Sequence, residues 1–221
     1  MTREDVLEAL RFMGVPPEGY DASRHIAERG FEELEPLIQP RGCFVRVSVE
    51  CSGGEVRMAD GDLTCVSSSL TRLFAACRSA FVMAVTLGSE VDRRIASLQR
   101  TDMARAAALD ACASVRADRL CDELQRSAEA ELADGEYLTM RFSPGYGDVP
   151  LDFSRGILAL LDGARRLGIS LTKSMMMVPV KSITAVIGIS DTPQTAQRSC
   201  ELCGMKNCMY RKRGGFCGER G

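Results

Sequence analysis

The stretch Arg141-Phe142-Ser143-Pro144-Gly145-Tyr146-Gly147-Asp148-Val149-Pro150 constrains the chain more than any other. Its two glycines and two prolines within ten residues continue neither a strand nor a helix. Proline fixes φ and lacks a donor, and glycine lets a backbone come close to another group. A short β-like run, Tyr137–Met140, precedes it and an amphipathic pattern follows it. The expected result is a rigid loop with exposed amides, an arginine at its entrance and a tyrosine at its centre. Binding residues concentrate in loops held between regular elements. A plain strand-to-helix connection accounts for the same residues equally well.

Around that loop the hydrophobic pattern alternates between two periods. Residues 3–13 read as a helix with Val6, Leu7, Leu10 and Met13 on one face. A second helix is expected from Ala22 to Ile38, capped by Asp21, with Ile26, Phe31, Leu34, Leu37 and Ile38 inward and weak points at Gly30 and Pro36. Cys43–Val49 alternates as a half-buried strand, Glu55–Met58 is its hairpin partner, and a short strand covers Leu63–Val66. Ser67–Ser69 caps a helix carrying Leu70, Leu73, Phe74 and Cys77. Ala80–Leu87 reads as a central strand, and Val91, Ile95 and Leu98 mark a helix. From Thr101 to Ala133 runs the longest helix, with Ala113, Ala117, Leu120, Cys121, Leu124, Ala128 and Leu132 buried and Asp118 at the edge of that stripe. Phe153 to Ala164 is one helix closed by Gly168, Met175–Met177 is flexible core, and Ile183–Ile189 is a further strand. Helices mixed with hairpins give an α+β fold with a largely antiparallel sheet and flanking helices.

The sequence is ordinary for a water-soluble domain: 45% hydrophobic, 26% charged, net charge −2. Nothing in that balance argues for nucleic acid or an anionic membrane, and the lack of tryptophan with the low aromatic content disfavours base stacking. No apolar run reaches the length of a membrane span, and the charged start Met1-Thr2-Arg3-Glu4-Asp5 has no signal-peptide core. A cytoplasmic protein without nucleic-acid or membrane partners is expected. The single histidine, His25, nearly excludes Ser-His or Cys-His chemistry and a His-rich metal site.

Two motifs taken together carry a resemblance. Arg141-Phe-Ser-Pro144-Gly145-Tyr146 resembles the R-x-x-P-G-Y loop of the activation domain of cobalamin-dependent methionine synthase. Leu171-Thr172-x-Ser174-x-Met176-Met177-x-Pro179-x-x-Ser182-Ile183-Thr184 is similar to that family's second signature. The likeness covers roughly Cys43 to Ile189. It implies a C-shaped single domain with a twisted sheet that binds S-adenosylmethionine and supports the one-electron reduction and remethylation of cob(II)alamin. Carried over to this chain, Arg141 contacts the ligand's carboxylate end or the polar edge beside it, while Pro144, Gly145, Tyr146 and Gly147 line the ligand. Asp118 matches an acidic family position, where the carboxylate pairs with Arg141 or with the ligand's ammonium; Asp5 and Asp21 are candidates for a second. The family's aromatic pair in its second signature is replaced by Val186-Ile187, and the D-x-H-x-x-G cobalamin signature is missing. The implied role is a free-standing module, a component of a methyltransferase. It would act on cobalamin bound to a separate corrinoid protein, with a flavodoxin- or ferredoxin-type electron donor as the other partner.

Three segments follow: helical residues 1–40, the activation-like domain 41–192, and a Cys-rich tail 193–221. The tail's Cys200, Cys203, Cys208 and Cys217 suit a tetrahedral zinc site or an iron–sulfur cluster, and the spacing leaves both open. The alternative function is a non-catalytic metal-binding or docking protein that keeps the fold.

Overall fold

The computed structural model describes residues 1–193. A sheet of six strands organises them, in the order β3 (Leu63–Val66), β2 (Glu55–Met58), β1 (Arg41–Ser52), β4 (Cys77–Thr86), β8 (Ser182–Ser190) and β5 (Tyr137–Leu138), with every pairing antiparallel. Its middle is β1 (Arg41–Ser52), β4 (Cys77–Thr86) and β8 (Ser182–Ser190). Strand β4 is apolar throughout because both its faces are covered. Ala80, Val82 and Ala84 enter one core, and Phe81, Met83 and Val85 enter another. The alternation expected in β1 is present: Cys43, Val45, Val47 and Val49 share one face, and Phe44 joins the other.

The hairpin β2 (Glu55–Met58) and β3 (Leu63–Val66) extends one edge of the sheet. Helices α3 (Ser68–Leu73), α6 (Phe153–Leu160) and α7 (Gly163–Leu167) cover the first face. The long α5 (Met103–Glu129) crosses the second, burying Cys121 and Ala128 against Phe81, Met83 and Ile187. The N-terminal half of α5 also receives α1 (Arg3–Phe12), α2 (Tyr20–Leu34) and α4 (Ser89–Leu98) in a helical core of their own. The α+β class with a mostly antiparallel sheet and flanking helices is therefore as expected.

Several local expectations are corrected. The second helix begins at Tyr20 with Gly19 as its cap, so Asp21 lies in its first turn, and it gives way to a 3-10 turn at Glu35–Leu37 around Pro36. Ile26 is exposed, whereas Gly30 is buried because it is the point where α2 meets α5. The helix after Ser67 stops at Leu73, and Cys77 belongs to β4. The long helix starts later, at Met103, because Asp102 supplies its cap by accepting from the Arg105 amide at 3.0 Å. The helix expected across 153–164 breaks at Asp162, which adopts φ 51°, a left-handed conformation that aspartate tolerates better than most residues. Of Met175–Met177 only Met177 packs against the core; Met176 is 54% exposed beside the small hairpin of β6 (Ser170–Leu171) and β7 (Met177–Val178).

Candidate functional site

The edge strand β5 (Tyr137–Leu138) is only two residues long, yet its chain stays on the sheet. Thr139 donates its amide to Gly188 O at 2.9 Å, and Phe142 exchanges two backbone bonds with Val186 at 2.9 and 2.8 Å. These bonds fix which way successive side chains point. Phe142 is buried in the core under α3 and α6, so Arg141, one residue earlier, is thrown to the opposite face, against α5.

There Arg141 Nη1 donates to Asp122 Oδ1 at 2.9 Å and to Gln125 Oε1 at 3.2 Å. Its side chain is 21% exposed. Among the described residues, Nε and Nη2 make no hydrogen bond. Beneath it lies the Cys121 thiol. Burial pushes that thiol up to about 12; the Arg141 charge opposes the shift, and Asp118 and Asp122 add to it. Arg141 thus meets Asp122 on α5, and Asp118 stands one helical turn earlier on the same helix.

The network continues to the N-terminus. Arg119 contacts Asp122 Oδ2 at 3.6 Å, Asp5 Oδ1 at 2.6 Å, Glu8 Oε2 at 3.7 Å and Glu4 Oε2 at 3.8 Å. Asp5 also forms a capping box with Thr2, accepting from its amide at 2.7 Å. Burial alone would raise the Asp5 carboxyl, but the Thr2 amide and the Arg119 guanidinium outweigh it and hold the group below its usual range. Asp5 is thus engaged with Arg119 at this junction. The exposed Asp21 lies in the first turn of α2.

The loop itself differs from the expectation of free amides. Gly145 N donates to Val149 O at 2.9 Å and Tyr146 N to Ser143 O at 3.2 Å. What the loop presents is the Tyr146 ring, 53% exposed and set edge-on to Phe142 with centroids 6.5 Å apart. Gly147 is needed as glycine: its φ is 56°, and a Cβ there would meet Ser69 Oγ at 2.7 Å and Phe142 Cζ at 3.3 Å. Next to it, the Asp148 carboxylate receives Ser67 Oγ at 2.5 Å, Ser68 Oγ and Ser68 N at 2.7 Å, and Ser69 N at 3.1 Å. Partial burial raises this group, but those donors prevail and drive it far below the carboxylate range.

The second motif is structural in large part. Ser182 Oγ donates to Pro179 O at 2.7 Å and shares a hydrogen bond with the Thr86 hydroxyl at 2.8 Å; Thr184 bonds Ser154 of α6 at 3.1 Å. Val186 and Ile187 are buried on opposite faces, and Ile187 packs under α5. Cys200, Cys203, Cys208 and Cys217 lie outside the described residues. Among the described residues no three histidine, cysteine or carboxylate groups converge as a metal site. Nor is any described helix long and apolar enough to cross a membrane.

Sequence reading reached Arg141 and Asp118 but missed Asp122, Gln125, Arg119 and Asp148. The first two had a visible signal: they follow Asp118 at helical spacings of four and seven and so share its face. Asp148 had only an indirect one. The first turn of α3 has no acidic residue of its own to complement the amides at its start.

The family profile described as "Vitamin B12 dependent methionine synthase, activation domain" matches residues 83–211. Among solved structures the chain is similar to the crystal structure of the MetH reactivation domain bound to AdoHcy, at 19% identity and a TM-score of 0.54. That match covers 83% of this chain and 71% of the other, and at such identity it is a likeness of fold. No curated protein matches the chain.

Proposed function

Because the chain belongs to the family of activation domains of vitamin B12-dependent methionine synthase, we propose that it binds S-adenosylmethionine against Arg141 for the reductive remethylation of cobalamin on a partner. The observation that carries this reading is the state of Arg141. Asp122 and Gln125 hold one terminal nitrogen, so the guanidinium plane is already oriented. The remaining donors form a fork that matches a carboxylate in two-point geometry.

Asp118 stands on the same face of α5 and suits the ligand's ammonium group. Pro144, Gly145, Tyr146 and Gly147 line the ligand along the loop, with the exposed Tyr146 ring as the apolar contact. The described residues contain no histidine or activated thiol placed as a general base: His25 is on α2, and Cys121 is 1% exposed with its thiol pushed up to about 12. The work of the site is therefore to hold the sulfonium methyl in position. Cobalamin, carried by a corrinoid methyltransferase partner, supplies the nucleophile once a flavodoxin- or ferredoxin-type donor has reduced it. The tail cysteines, as zinc ligands or iron–sulfur ligands, are a further part of the proposal.

The test is anaerobic incubation with S-adenosylmethionine, a low-potential reductant and the cob(II) form of a methionine synthase deprived of its activation domain. Methylcobalamin absorbance should appear with the wild-type chain and be lost with Arg141→Ala. A second reading, a docking or metal-binding protein on the same fold, is favoured by Ile187, buried where the family carries a tyrosine. Folded protein that leaves the cob(II) spectrum unchanged and binds no S-adenosylmethionine selects that reading.

A further inference from the structure

We propose that Asp148 is the positioning residue of the ligand loop, a latch that fixes the backbone of Pro144–Gly147 by gripping the start of α3. The inference rests on the ligand reading given above. Four donors converge on this one carboxylate from residues some eighty positions earlier: the Ser67 and Ser68 hydroxyls and the Ser68 and Ser69 amides. Charge-assisted bonds of this kind are roughly twice as strong as neutral ones.

The other end of the loop is tied separately, by the paired backbone bonds between Phe142 and Val186. Between these two anchors the short backbone bonds of Gly145, Tyr146 and Val149 act within the loop. The stretch holds Gly145 at φ 88° and Gly147 at φ 56°, conformations that a released, glycine-containing chain would leave readily. Gly147 also sits tight against Ser69, so the latch and the close approach are one contact: releasing Asp148 frees both. Asp148 touches no ligand in this scheme. It acts through Gly145, Tyr146 and Gly147 by removing conformations they would otherwise have to give up on binding.

The same contacts also cap α3, since Ser67 Oγ accepts from the Leu70 amide at 3.1 Å while donating to Asp148. The experiment must therefore separate capping from latching. It uses the full chain as wild type, Asp148→Ala, and the double variant Asp148→Ala/Ser68→Asp. The new aspartate gives α3 an acidic first-turn residue of its own without a tie to the loop. Hydrogen exchange over 141–152 and calorimetric titration with S-adenosylmethionine are read beside thermal melting.

Asp148→Ala should exchange the loop amides at least about tenfold faster. It should bind S-adenosylmethionine about tenfold more weakly, with the loss in the entropy, as expected when loop residues are ordered on binding. The double variant should recover melting temperature but neither loop protection nor affinity. Recovery of all three, or unchanged exchange in Asp148→Ala, overturns the latch and leaves a helix cap. Wild-type protein that binds no S-adenosylmethionine sinks the ligand reading instead, and the exchange comparison still decides the latch.

Discussion

Replacing Gly30 by alanine pits two effects of known size against each other. Gly30 lies inside α2, where alanine gains up to about 1 kcal/mol of helix propensity. In this fold, however, a Cβ at Gly30 would stand 2.7 Å from Cys112 Sγ and 3.4 Å from Ala108 O of α5. Cys112 is fully buried, and its thiol donates to Ala27 O at 3.4 Å, so rotating it away sacrifices that bond. Overpacking of this kind costs about 1–3 kcal/mol. The net expectation is a destabilisation of about 1–2 kcal/mol, or a melting temperature lower by about 3–6 °C for a chain of this size. The assay is a double-mutant cycle by denaturant and thermal unfolding with Gly30→Ala, Cys112→Ala and both together. Removing Sγ should relieve the clash, so the double variant should be more stable than the sum of the singles by at least about 1 kcal/mol. A Gly30→Ala protein that melts higher than wild type, or singles that simply add, would refute the α2–α5 packing described here.

Glu33 ties α2 to both α4 and α5 through Arg94 Nε at 2.7 Å and Arg105 Nε at 2.6 Å. Burial raises its carboxyl, but the hydrogen bonds and charges of Arg105 and Arg94 prevail and hold it low. A depressed folded value gives stability that is complete above the unfolded carboxyl range and is lost as pH falls through the folded value. Glu33→Gln should therefore lower Tm by about 2–4 °C at pH 7 and flatten the loss as pH falls below the ordinary carboxylate range; a variant with the wild-type acid limb would contradict the assignment. For thiol chemistry, burial pushes Cys112 and Cys121 up to about 12, whereas Cys51 is exposed. Of the six cysteines before residue 193, Cys51 should be alkylated first in native protein and Cys112 and Cys121 only on unfolding, as read by peptide mass mapping. Early labelling at Cys112 would contradict the helical core.

The strands were legible because their signals are local. The alternation of Cys43–Val49 and the two-faced apolar run of Ala80–Leu87 each follow from period and burial alone, and both appear in the sheet. Helix ends were less so, because they depend on partners distant in sequence. Pro36 and the αL geometry of Asp162 cut two helices that periodicity ran together. Gly30 looked like a weakness of α2 because its value lies in an approach to α5 that no window on α2 contains. At the candidate site, Arg141 was visible in its motif, whereas its partners Asp122 and Gln125 were visible only as repeats of the Asp118 face. Asp148 and its grip on Ser67–Ser69 join segments about eighty residues apart, a pairing that no local pattern encodes.

Calorimetric titration of anaerobic protein with S-adenosylmethionine, run beside Arg141→Ala and Arg141→Lys, tests whether Arg141 holds the ligand. Saturable one-to-one binding should be lost in the alanine variant, and lysine should recover only part of it, because a point charge replaces a two-point fork. Equal binding by all three folded proteins would contradict the claim, since the carboxylate would then be held somewhere other than the Arg141 edge of α5.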